Sequence, residues 1–228
     1  MISIAIDGPA ASGKTTLSKT LADSLEFLYF DTGAMYRAVT LAALDEKLDL
    51  KDEKAIVALA ETAEIDLQAP SQEDGRLYDV ILNGEDSTWR IRSKKVDQNV
   101  SLISAYPGVR AALTKQQQRI GKRGGVVMAG RDIGTVVLPN AELKIYLDAS
   151  VEERARRRYE ELTMRGEEVE LANIEEDMRQ RDETDTNRKV APLRAASDAI
   201  VIRSDGKLAN EVLEQAIRLA TERMEAAQ

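Results

Sequence analysis

Neither histidine nor cysteine occurs anywhere in the 228 residues. Without imidazole or thiolate there can be no Ser-His-Asp or Cys-His nucleophile, no histidine acid or base, no thiol redox couple and essentially no zinc site. Aromatic residues make up only 4%, and 40 acidic residues outnumber 32 basic ones for a net charge of −8, so a general nucleic-acid binder is not expected. No apolar run approaches the length needed to span a bilayer. The opening MISIAID reaches Asp7 with no basic stretch before it, so it does not read as a secretory signal, and a cytoplasmic location is expected. At 43% hydrophobic the chain can bury a sizeable core, and its length suits one large α/β domain. The chemistry left to it runs on Lys, Arg, Asp, Glu, Ser, Thr, Tyr and backbone amides, an inventory that suits phosphoryl transfer.

The first seven residues favour β-branched types and stop at Gly8-Pro9, a short buried strand entering a turn. Leu17, Leu21 and Leu25 then mark an amphipathic helix. A second strand is predicted at Phe27 to Phe30 and a second helix at Ala34 to Leu48. GVVMA at 125–129, LKIYL at 143–147 and AIVI at 199–202 complete five parallel strands flanked by helices. The intervening helices are predicted at Val100 to Arg123, interrupted near Tyr106-Pro107-Gly108, at Val151 to Thr163 and at Asn210 to Met224. From about 63 to 92 the rhythm changes: IDLQAP, RLYDVILNG and STWRI read as short strands of an antiparallel insert.

Gly8-Pro9-Ala10-Ala11-Ser12-Gly13-Lys14-Thr15 matches the G-x-x-x-x-G-K-[ST] phosphate loop and lies between a predicted strand and a predicted helix, as its mechanism requires. Its glycines let backbone N–H groups turn in on phosphate oxygens, and the helix that follows aims its positive end at the same place. Lys14 can follow the β- and γ-phosphates, and the Thr15 hydroxyl can ligate Mg²⁺. An N-K-x-D guanine-reading segment is absent. The strand that would carry a Walker-B acid ends at Ala129, so neither a GTP switch nor a motor ATPase gains support.

An acceptor kinase needs cations that hold two phosphate-bearing ligands in line. Arg154, Arg157 and Arg158 share one face of a helix that Ser150 and Glu153 would open as a capping box. Arg181, Asp185 and Arg188 share another face if the helix persists that far. Taken alone, either cluster reads equally as a solvated, salt-bridged surface.

Five segments together carry a resemblance: IDGPAASGKTT at 6–16, DTGAMYRA at 31–38, SLISAYPGVR at 101–110, AGRDIGTVVLPNA at 129–141 and RDETDTNRKVAPL at 181–193. The chain is similar, nearly end to end, to the bacterial cytidylate kinases of the nucleoside monophosphate kinase family. The resemblance implies a P-loop α/β fold spanning 1–228, with an insert at about 63–92 that binds the nucleoside monophosphate and a mobile helical lid at about 151–170. It implies transfer of phosphate from ATP-Mg²⁺ to CMP or dCMP, with no nucleic-acid or membrane partner and a monomeric state. Gly8 through Thr16 would hold the ATP phosphates, and Arg154, Arg157 and Arg158 would close over them. Thr32 and Arg37 would contact the acceptor; Ser101, Arg110 and Asp132 would read cytosine; Arg181 and Asp185 would hold the sugar; Arg131 and Arg188, with Lys14, would serve the transferring phosphate. Arg156 and Arg165 are expected to be solvated. Many relatives carry an acid where this chain has Ala129, so Asp31 or Asp132 is the candidate to hold a metal-bound water. A kinase of another small acceptor such as shikimate, and a nucleotide-binding regulatory protein, remain as alternatives.

Overall fold

A computed structural model describes residues 1–227. Five parallel strands form the central sheet: β1 (Ser3–Asp7), β2 (Leu28–Asp31), β6 (Val126–Gly130), β7 (Leu143–Asp148) and β8 (Ile200–Arg203), in the order β2-β6-β1-β7-β8. Parallel neighbours need crossover connections, which cover both faces of the sheet, and strands buried on both faces become apolar nearly throughout. Ile4, Ala5, Ile6 and Val126 to Met128 are accordingly buried. The chain leaves the central strand β1 for one side of the sheet and returns to the other. Their carboxyl ends are where ligand crevices form in open α/β sheets.

Helix α1 (Lys14–Leu25) follows the phosphate loop and packs on β6 and the last helix, α8 (Ala209–Ala226). Helix α2 (Gly33–Asp45) is buried along most of its length. Helix α3 (Glu53–Thr62), which the sequence reading did not pick out, is capped by the Asp52 carboxylate accepting from the Ala55 N–H. Helices α4 (Lys94–Ala105) and α5 (Pro107–Gly121) meet at Tyr106, where proline at the start of the second forces the predicted interruption.

The insert is an antiparallel sheet of β3 (Ile65–Gln68), β4 (Asp79–Leu82) and β5 (Glu85–Asp86). Buried Arg76 ties it together by pairing with Asp74, Asp79 and Asp86. The third predicted strand, STWRI, is not a strand: it is a turn and a 3₁₀ turn over Arg90–Arg92, and the paired residues come just before it.

The stretch at about 151–170 expected as a lid holds α6 (Val151–Met164), and α7 (Leu171–Asn187) follows it. Ala155, Leu162, Ile174 and Met178 form a small apolar cluster separate from the main core. Ser150 caps α6 by accepting from the Glu153 N–H, but the reciprocal half of the expected capping box is missing, because Glu153 pairs with Arg156 and Arg157 instead. Arg188 lies one residue past the end of α7, in extended backbone, so only Arg181 and Asp185 share its helical face. Among the described residues no helix is long and apolar enough to cross a membrane.

Candidate active site

A cleft of about 640 Å³ opens over the carboxyl end of the sheet, within the range for small-ligand sites. One wall is the phosphate loop. Gly8 has φ 153°, and a Cβ there would lie 2.1 Å from the Leu147 carbonyl oxygen, so the chain can turn at this point only as glycine. Gly13 also has a positive φ and leads into α1. Buried Lys14 folds back, donating to the Pro9 carbonyl and at 3.3 Å to the Ser12 hydroxyl. Ala10, Ala11 and Thr15 face the cleft, while Thr16 is exposed on the helix behind them.

Opposite the loop runs a ladder of alternating charge. Arg110 donates to Asp132 at 2.7 Å, Arg188 lies 3.6 Å from both Asp132 and Asp185, and Arg131 donates to Asp185 at 2.9 Å. Four parts of the chain meet here: α5 supplies Arg110, the bend just after β6 supplies Arg131 and Asp132, α7 supplies Asp185, and the segment after it supplies Arg188. The Arg110 guanidinium also sits 5.5 Å from the centre of the Tyr36 ring. Arg110 Nε and Arg188 Nη2 are buried without a hydrogen-bond partner among the described residues. A buried donor without an acceptor is costly, and a polar ligand in the cleft would supply one.

The electrostatics point the same way. Seven cationic side chains against five carboxylates line the cleft of a chain whose net charge is −8. Burial, followed by repulsion from Arg131, holds Lys14 well below the usual lysine range. Arg181 is lowered by the same two causes, and Arg188 by burial and then Arg110. Burial also works against the Arg110 charge, but Tyr36 and Asp132 outweigh it and hold its value above normal. Three cations are therefore held at a cost, which anionic oxygens entering the cleft would relieve.

Most of the predicted residues converge here, some already engaged with neighbouring groups. Thr32 directs its hydroxyl to the Ala129 carbonyl at 3.0 Å. Arg37 donates to the Ile91 carbonyl and pairs with Asp97, so its position is set by the insert's exit and by α4. No residue of the insert itself lines the cleft; Val100, Ser101 and Ser104 of α4 do. Of the three arginines expected to close over ATP, Arg158 lines the cleft. Arg154 is buried against the Ala10 carbonyl and Asp182, and Arg157 is bound to Glu153 and Ser204. Arg156 and Arg165 are exposed in ion pairs with glutamates of α6, as expected. The sequence reading did not identify Asp97 and Asp182 as partners of Arg37 and Arg154, because no spacing rule links residues so far apart in the chain.

A family model described as Cytidylate kinase matches residues 4–222. A cytidylate kinase from Herpetosiphon aurantiacus is 50% identical over 216 residues, 95% of this chain and 93% of that protein. One from a Geobacillus species is 48% identical over 223 residues, 98% of both. Among solved structures, a gluconokinase from Sinorhizobium meliloti aligns over 99% of this chain and 95% of its own, at 12% identity and a TM-score of 0.50, a likeness of fold alone.

Proposed function

The chain belongs to the cytidylate kinase family, and on that premise we propose how its residues move the γ-phosphate of ATP to CMP or dCMP, giving ADP and CDP or dCDP. A phosphate oxygen of the acceptor, anionic at neutral pH, forms the new bond to the γ-phosphorus as the bond to the β–γ bridging oxygen breaks. No general base is required. What the protein supplies is alignment and positive charge, which suits a chain without imidazole.

In this reading the loop from Gly8 to Thr16, with Lys14, holds the ATP phosphates. Arg37 meets the acceptor phosphate with Thr32 beside it, and Arg131 and Arg188 neutralise the group in transit. Ser101, Arg110 and Asp132 face the base. A cytosine presents acceptors at N3 and O2 and an amino donor at N4, which a hydroxyl, a guanidinium and a carboxylate complement; uracil puts a carbonyl where the carboxylate needs a donor. Arg181 and Asp185 take the sugar. The lid, with Arg154, Arg157 and Arg158, excludes water so that transfer outcompetes hydrolysis.

Hard oxygen donors suited to Mg²⁺ are present beside Lys14: the Thr15 hydroxyl and the Asp31 carboxylate both face the cleft. Asp132 is already engaged by Arg110 and Arg188, whereas among the described residues Asp31 accepts only the Gly33 N–H, so Asp31 is the better placed to hold a metal-bound water. Mg²⁺ bound there would draw charge from the β- and γ-phosphate oxygens. A cytoplasmic, monomeric enzyme without nucleic-acid or membrane partners completes the proposal.

The observation that carries this reading is the ladder from Arg110 to Arg131 facing the phosphate loop, with buried N–H groups left to donate. ADP release in a coupled assay with CMP, dCMP, UMP or shikimate as acceptor tests it. Release driven by CMP and dCMP is expected; equal release with shikimate, or no stimulation by any acceptor, would overturn it.

A further inference from the structure

Strand β1 ends in a carboxylate that does not reach the cleft. Asp7 is 3% exposed, and its two oxygens accept from the backbone N–H groups of Ile133, at 2.7 Å, and Gly134, at 2.8 Å. Those donors belong to the first two residues of a single π-helical turn, Ile133–Val137, that follows Asp132 directly. Later N–H groups of the turn find backbone acceptors, Val136 and Val137 both donating to the Asp132 carbonyl. The first two find none among the described residues and depend on Asp7. The one lysine beside Gly134, Lys144, directs its ammonium to Asp198 and the Pro139 carbonyl, so it does not neutralise Asp7.

This contact links two parts of the site that the chain keeps far apart. Asp7 precedes the phosphate loop by one peptide bond, and Asp132 and Arg131 precede the turn by one and two residues. We propose that Asp7 is a positioning residue: by clamping the Ile133 and Gly134 N–H groups, it fixes Arg131 and Asp132 relative to the loop that carries Lys14. This deepens the kinase reading and rests on it. Two bonds from one rigid carboxylate define both the distance and the tilt of the turn, and an error of 1 Å between reacting groups can cost about a hundredfold in rate. Gly134 fits the arrangement, since a Cβ there would press within 3.4 Å of the Asp7 carboxylate and 3.2 Å of the Lys144 chain.

Asp7→Asn keeps the shape of the side chain but turns an N–H toward one of the two backbone donors. Its kcat for CMP is expected to fall roughly ten- to a hundredfold, with KM for CMP raised several-fold. The Kd of a fluorescent ATP analogue should stay within about threefold, and Tm within about 4 °C, of the unaltered protein. A kcat within about twofold of the unaltered protein overturns the proposal. So does a variant that fails to fold or loses activity only in step with its Tm, since Asp7 would then be a scaffold residue. Amide hydrogen exchange in the unaltered protein supplies a second reading that does not depend on the variant. The Ile133 and Gly134 amides should be protected, and rapid exchange at both would overturn the clamp. Failure of the kinase reading would appear separately, as no CMP-dependent ADP release by the unaltered protein.

Discussion

Asp132 receives Arg110 and Arg188 in the same ladder, so its carboxylate is both a partner to two cations and the proposed reader of the base. Asp132→Asn should therefore lower kcat/KM for CMP by about a hundredfold while improving the UMP to CMP ratio about tenfold, because an amide can donate to a carbonyl as well as accept from an amine. Steady-state kinetics with both acceptors checks it; an unchanged ratio would remove Asp132 from base reading. Asp7 makes a different statement, about pH. Burial raises its value to about 6, the two backbone N–H bonds pulling only partly the other way. Between pH 4 and 6 the folded protein therefore holds a proton that the unfolded chain has released, so this contribution to stability is complete below about 4 and lost as pH rises through 6. Its size is on the order of 3 kcal/mol. Urea unfolding of Asp7→Asn is expected to show a smaller loss of stability from pH 4 to pH 7 than the unaltered protein shows. Asp86 acts in the opposite sense and in a lower window. The Thr88 hydroxyl and N–H, and then Arg76, bring it to about 2, so its contribution is present above about 4 and is lost on acidification toward 2.

The apolar cluster of α6 and α7 is separate from the main core, so the proposed lid would be able to move without opening that core. Leu162 belongs to that cluster and also faces the cleft. Leu162→Ala should weaken the lid by about 2–3 kcal/mol while leaving the sheet intact. Faster amide exchange confined to 151–187, a raised KM for ATP and more ATP hydrolysis without acceptor are the expected readouts; unchanged hydrolysis would count against water exclusion by the lid. The insert works at one remove. Its exit segment offers the Ile91 carbonyl to Arg37, so in the proposed reading any effect on the acceptor would pass through that arginine rather than through a wall of its own.

Over the whole molecule, a net charge of −8 coexists with a cleft that is positive on balance. Lys14 is buried, Arg188 half-buried and Arg181 more open, each with another cation nearby, so ligands that bring negative charge should stabilise the fold as well as bind. With ATP and CMP each present at about a hundred times Kd, mass action adds on the order of 2.7 kcal/mol per ligand, or about 5–10 °C in Tm for each. Thermal unfolding with and without the nucleotides, repeated at high salt, tests this; a shift insensitive to salt would argue against charge as the main attraction.

Much of this could be read in the sequence because it follows from local rules. The phosphate loop, the helix behind it and the buried strands rest on glycine freedom, a 3.6-residue period and apolar runs, all of which act over a few residues. The absence of histidine and cysteine already excluded imidazole and thiol chemistry. Five family-like segments indicated which arginines to expect. What the linear order could not supply was partnership. The pairing of Arg110 with Asp132, of Arg37 with Asp97 and of Arg154 with Asp182, the Asp7 clamp on the turn after β6, and the placing of Arg188 beyond its helix all join residues brought together only by the crossovers of a parallel sheet. Residue types and local spacing determined what the site could be made of; the sheet order and the burial it imposes decided which charges face each other.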